Sequence, residues 1–83
     1  MERRLGFVGI IVEDRKMNAP KINSLLSNYG ELIIARLGVP YREKKCSVIA
    51  LIVNANTDQL GSLTGKLGKI PGVSIKSALS KIE

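Results

Sequence analysis

Gly61-Ser62-Leu63-Thr64-Gly65-Lys66-Leu67 is the part of this chain that comes nearest to a recognisable reactive element, a glycine-rich loop that wraps a phosphate. Such a loop joins a strand to a helix and carries a hydroxyl after its lysine to hold magnesium. Here the spacing is one residue short, Leu67 takes the hydroxyl's place, and the surrounding apolar period puts the segment inside a helix. It is not expected to bind a nucleotide by that route. The single cysteine, Cys46, has no histidine anywhere in the chain to activate it, and reads as a small buried residue. No carboxylate pair or nucleophile with its base stands at a working spacing, so no catalytic residue, no metal site and no cofactor is expected.

Two sets of residues remain that could bind. Arg36, Arg42, Lys44 and Lys45 form a basic patch around a hairpin, interrupted by Glu43, where phosphate contact competes with the ordinary role of charge in guarding an edge strand. The polar turn holding Asp14, Arg15 and Asn18, together with Gly61, Gly65 and Gly68, is the candidate place for a small effector. Each of those three glycines weakens a helix by about 1 kcal/mol relative to alanine, so something is expected to pack or bind close against them. A base-stacking platform for RNA is excluded, because Cys46 to Val53 has no aromatic residue and Phe7 stands alone.

Thirteen basic and seven acidic residues leave a net charge of +6, which draws the protein weakly toward polyanions and keeps it soluble. Residues 1–83 make one domain, near the lower limit for a single core without disulfides or metals. Met1 to Arg4 followed by the apolar run Leu5 to Val12 imitates a signal peptide. Glu13-Asp14-Arg15-Lys16 then stands where a cleavage site would be, and the run is far too short to span a bilayer. The expectation is a cytoplasmic protein with no membrane partner.

The elements that must position these residues are set by Cys46 to Asn54. Val48, Ala50 and Ile52 alternate with Ile49, Leu51 and Val53, so both faces of this strand are apolar and both need cover. Arg4 to Glu13 is a second such strand, and Gly6 and Gly9 within it allow another backbone to come near. Asn18-Ala19-Pro20 supplies an N-cap and a first-turn proline for a helix whose stripe is Ile22, Leu25, Leu26 and Tyr29, with Gly30 stopping it as the C′ residue. Glu31 to Leu37 is a strand that bends or bulges at Gly38-Val39-Pro40, and the proline assigns it to an edge. Tyr41 to Lys45 is the hairpin tip. Asn56-Thr57-Asp58 opens a second helix with the stripe Leu60, Leu63, Leu67 and Ile70, and Pro71-Gly72 leads into an edge strand, Val73 to Leu79.

The order β-α-β-β-α-β predicts an α+β, ferredoxin-like βαββαβ fold: a four-stranded antiparallel sheet in the order fourth, first, third, second, with both helices on one face. Two helices leave the other face bare. Phe7, Val8, Ile10, Val48, Ala50 and Ile52 are the residues expected to form an oligomer interface there, in a homodimer or homotetramer.

Leu60-Gly61-Ser62-Leu63-Thr64-Gly65-Lys66-Leu67-Gly68-Lys69-Ile70-Pro71-Gly72-Val73-Ser74-Ile75-Lys76 resembles the helix-to-strand signature of the iron-only hydrogenase system regulator family. Val12-Glu13-Asp14-Arg15 and Arg36 to Glu43 are similar to its pattern too, so the resemblance covers nearly the whole chain. It implies an ACT-like ferredoxin fold, related in shape to the ligand-binding part of the nickel-responsive repressor, and a regulatory, oligomeric role. Metal sensing does not transfer, because the histidine ligands are lacking. The turn after the first strand, Asp14-Arg15-Lys16-Met17-Asn18, also lacks the glycine that amino-acid-binding ACT domains place there. The leading expectation is a non-enzymatic homo-oligomeric regulator that binds a small-molecule effector or a protein partner. A DNA-associated transcription factor reading through Arg42 to Lys45 is the alternative, with nucleic acid the less favoured partner.

Overall fold

The computed structural model describes residues 2–81, apart from the side chain of Arg15, so the first and the last two residues of the expected 1–83 domain lie outside the described residues. The chain forms β1 (Arg4–Glu13), α1 (Arg15–Asn28), a 3₁₀ turn (Gly30–Leu32), β2 (Ile33–Tyr41), a second 3₁₀ turn (Arg42–Lys44), β3 (Cys46–Ala55), α2 (Thr57–Gly68) and β4 (Val73–Leu79). The four strands make one sheet in the order β2-β3-β1-β4, every neighbouring pair antiparallel, as the sequence predicts. The two strands that are apolar on both faces occupy its centre.

One face of that sheet meets the helices. Val8, Ile10 and Val12 of β1 and Ile49, Leu51, Val53 and Ala55 of β3 pack under Ile22 and Leu26 of α1 and Leu60, Leu63 and Leu67 of α2. Leu32 and Ile70 close the ends of this layer. Alternation along β1 and β3 then sends Phe7, Ile11, Val48, Ala50 and Ile52 to the opposite face.

Local differences from expectation have identifiable causes. Helix α1 begins at Arg15, not at Asn18-Ala19-Pro20, because Asp14 turns the chain in the left-handed region at φ 50° and its carbonyl accepts from the Met17 and Asn18 amides. Pro20 therefore sits inside the helix. Gly30 follows the C-cap Tyr29 at C′, as expected, but not in the left-handed region; the Leu32 amide bonds to the Tyr29 carbonyl and a 3₁₀ turn leads on toward β2. The irregularity of β2 lies between Ile33 and Ala35, whereas Gly38, Val39 and Pro40 pair in register with Ile49, Val48 and Ser47. An edge strand needs no donor on its outer side, so Pro40 does not interrupt the pairing.

Helix α2 starts as predicted. The Gln59 amide donates to Asn56 Oδ1 at 2.8 Å and the Asn56 amide to Gln59 Oε1 at 2.9 Å, a reciprocal capping box. At its other end Gly72 holds φ 81°, which a side chain would strain, and its carbonyl accepts from the Glu13 amide at 2.8 Å. Gly6 fulfils the expectation of close approach: a Cβ there would collide with the Ala78 carbonyl and with Leu79 of β4. Gly9 shows only ordinary contact.

Candidate functional site

The helix-free face of the sheet carries most of the large apolar side chains left exposed once the core is built. Three rows cross it from β2 to β4: Ala35, Ile52, Phe7 and Ala78; Leu37, Ala50, Gly9 and Lys76; Val39, Val48, Ile11 and Ser74. Leu5 and Tyr41 extend it at either end. Of these, eight large side chains (Leu5, Phe7, Ile11, Leu37, Val39, Tyr41, Val48 and Ile52) are between 44% and 63% exposed. The middle row is small at its centre, Ala50 beside Gly9, so two bulky ridges flank a shallow hollow. Charge along these rows is confined to Lys76 on β4.

Phe7, Val48, Ala50 and Ile52 thus lie on the face where an interface was expected. Val8 and Ile10 do not. Both have no exposed surface and belong to the core under the helices, because adjacent residues of a strand point to opposite faces.

The expected effector residues are not gathered together. Asp14 is exposed at the turn into α1 and lines an open cleft of about 680 Å³ with Lys16, Tyr41, Arg42, Lys44 and Lys45. Asn18 is buried instead, and both its amide hydrogens are used: Nδ2 donates at 2.9 Å to the Glu13 carbonyl and at 2.9 Å to the Pro71 carbonyl. That makes it a fastener between the β1–α1 turn and the α2–β4 turn. Gly61, Gly65 and Gly68 lie along the exposed side of α2, and a Cβ at any of them would meet nothing within 4 Å. Among the described residues no close packing explains them.

The basic patch also divides. Arg42, Lys44 and Lys45 stay together at the exposed hairpin end, with Lys45 in the left-handed region at φ 54° and the Tyr41 hydroxyl donating to Glu43 Oε2 at 3.2 Å. Arg36 leaves them. It lies on the helix side of β2, where its Nη2 donates to Asn23 Oδ1 of α1 at 2.6 Å. Cys46 is half-buried at the start of β3 beside the charged cleft. Among the described residues no cluster of histidine, cysteine, aspartate and glutamate could hold a metal ion, and no helix is long and apolar enough to cross a membrane.

A second polar cluster, which the sequence reading missed, joins the helices. Tyr29 Oη lies 2.7 Å from Ser62 Oγ, and Lys66 Nζ stands 5.3 Å from the centre of the Tyr29 ring. Lys66 and then the Ser62 hydroxyl hold the Tyr29 phenol below its ordinary pKa by favouring the phenolate. The group is exposed and ties the end of α1 to α2 as a clasp.

Comparison with known proteins agrees with this architecture. The sequence profile of the TM1266-like family, described as "Iron-only hydrogenase system regulator, putative", matches residues 4–77. The uncharacterized protein TM1266 from Thermotoga maritima is 40% identical, with a TM-score of 0.92 over 96% of this chain and 100% of that one. The ACT domain of GTP pyrophosphokinase from Chlorobium tepidum superposes with a TM-score of 0.77 at 23% identity, over 92% of this chain and 99% of that one. A formyltetrahydrofolate deformylase from Pseudomonas putida KT2440 gives a TM-score of 0.66 at 7% identity, over 92% of this chain and only 29% of that one. None of the curated proteins matches. The likenesses below 25% identity establish an ACT-like ferredoxin fold and nothing about ligands.

Proposed function

This chain belongs to the TM1266-like family of iron-only hydrogenase system regulators, and from that premise we propose that it is a non-enzymatic regulatory domain that self-associates through its helix-free sheet face and responds to a small-molecule effector or a protein partner. The observation that carries this reading is the row structure of that face, with eight large apolar side chains about half exposed. Soluble monomers rarely leave an apolar patch larger than roughly 300–600 Å² in water.

Magnitudes favour association. If each of two copies hid ~400 Å² of apolar surface, the gain at about 25 cal/mol per Å² would be roughly 20 kcal/mol, above the roughly 4–15 kcal/mol lost with free translation and rotation. A second copy of the chain is the partner of choice because of where the charge lies. The molecule carries +6, yet Lys76 is the single charged residue in the three rows, so two copies meeting through the face bring together a surface with little charge. The ridge, hollow, ridge pattern of Phe7 and Ile52, Gly9 and Ala50, and Ile11 and Val48 gives such a pairing its relief.

The test is sedimentation equilibrium at micromolar concentration. The wild-type chain is expected to run as a dimer or tetramer, and the Phe7→Asp, Ile52→Lys double variant as a folded monomer. A wild-type monomer, or an assembly indifferent to both substitutions, contradicts the reading.

A further inference from the structure

On the other side of the sheet, between α1 and the edge formed by β2 and β3, the core layer is incomplete. The inward positions of outer β2 are Gly38 and Pro40, paired with Ile49 and Ser47. These small residues leave volume unfilled beneath α1, and a Cβ on Gly38 would meet nothing within 4 Å. The result is a crevice of about 180 Å³. An apolar cavity of about 150 Å³ is large enough to hold a benzene ring, so this one takes a body of five or six carbon atoms.

Its walls are mostly apolar, from Val12, Ile22 and Ile49, with three polar groups among them. Arg36 contributes its guanidinium, held by Asn23 through one N–H and left with further donors in a planar fork. Ser47 is 7% exposed, and its hydroxyl has no hydrogen-bond partner among the described residues. No side-chain N or O of those residues is both sealed from solvent and unpaired, so the Ser47 hydroxyl opens onto the crevice. Open to solvent and unpaired within the chain's described residues, that hydroxyl is free to bond a water or a ligand seated in the crevice. No aspartate or glutamate lines the crevice. A carboxylate has a cationic partner there; an ammonium group has no anionic one.

We infer that this crevice binds a short aliphatic carboxylate bearing a further oxygen, of the 2-oxo acid class, and discriminates against the corresponding amino acid. The carboxylate pairs with Arg36, the alkyl group fills the space over Gly38 against Ile22 and Ile49, and the Ser47 hydroxyl bonds the added oxygen or a water beside it. The inference rests on the regulatory reading only for its use, in giving the proposed regulator an effector class. The site itself lies within one copy of the chain, so binding and assembly are separable.

The experiment is titration of the ¹⁵N-labelled full chain with 4-methyl-2-oxopentanoate and, separately, with leucine, followed by amide shifts. Saturable shifts are expected at Ile22, Gly38, Ser47 and Ile49, with leucine at least about tenfold weaker because its ammonium finds no anion there and lies near the Arg36 cation. Arg36→Gln is expected to weaken the oxo acid by about tenfold, the value of one charge-assisted bond. Gly38→Leu fills the space and is expected to abolish binding while its melting temperature stays at or above that of the wild type, which separates a filled site from an unfolded one. Absence of saturable shifts at millimolar ligand, equal binding of leucine, shifts confined to other surfaces, or binding that survives Gly38→Leu overturns the inference. Sedimentation of the same samples reports assembly independently: oligomers that do not bind leave the assembly standing without this ligand, and monomers that bind do the reverse.

Discussion

Asn18 uses both hydrogens of one side-chain amide to join turns that lie 53 residues apart in sequence. Its donors satisfy the Glu13 and Pro71 carbonyls, and Gly72, one residue on, fits against the amide nitrogen at 3.3 Å from where its own Cβ would be. Asn18→Ala leaves two partly buried carbonyls without donors and is expected to destabilise the chain by about 2–3 kcal/mol in urea unfolding. For a domain of this size that is a fall in melting temperature of roughly 10–20 °C. Loss of less than about 0.5 kcal/mol would mean that water replaces the amide at little cost. Asparagine ahead of proline reads locally as a helix cap, and that local reading fails here because the residue's partners are tertiary. The same limit hid the Tyr29, Ser62 and Lys66 clasp, whose members come from two helices with nothing in either segment to announce the pairing.

At the scale of the element, α2 combines a strong start with a weak middle. The Asn56 and Gln59 capping box offsets part of what Gly61, Gly65 and Gly68 take away, since a good cap contributes about 1 kcal/mol and each glycine removes about as much. Space around all three is open. Gly65→Ala is therefore expected to stabilise the chain by about 0.5–1 kcal/mol in urea unfolding, without altering its sedimentation. A loss of stability or a smaller assembly would instead place a second copy against α2. The type and order of the four strands and two helices were legible, because the apolar period changes between them, whereas the 3₁₀ turns at Gly30–Leu32 and Arg42–Lys44 have no such period. Boundaries were less so. The start of α1 depends on Asp14 adopting a left-handed turn, and the bulge in β2 falls among Ile33, Ile34 and Ala35, where no glycine or proline marks it. Sequence proximity groups Arg36 with Arg42, Lys44 and Lys45, but its place on the helix side of the strand binds it to Asn23 and to the crevice.

For the whole molecule, the decisive property is that both central strands are apolar on both faces while both helices lie on one. This asymmetry could be read from the two doubly apolar strands, Arg4 to Glu13 and Cys46 to Asn54, together with the β-α-β-β-α-β order that places both helices on one side. Which residues face outward could be read only with the alternation kept strict, which sends Phe7 and Ile11 out and keeps Val8 and Ile10 in. The crevice could not be read, because it arises from what is missing at Gly38, Pro40 and Ser47 once α1 lies over them.

Isotope-filtered nuclear Overhauser spectroscopy on a mixture of ¹³C-labelled and unlabelled chains measures most directly whether the bare face is the shared one. Contacts between copies are expected from the Phe7 ring and the methyl groups of Ile11, Val48 and Ile52, and from none of the residues on the outer side of α2. Intermolecular contacts arising from α2 or the Arg42 to Lys45 hairpin, with the sheet face still in water, would contradict assembly through that face.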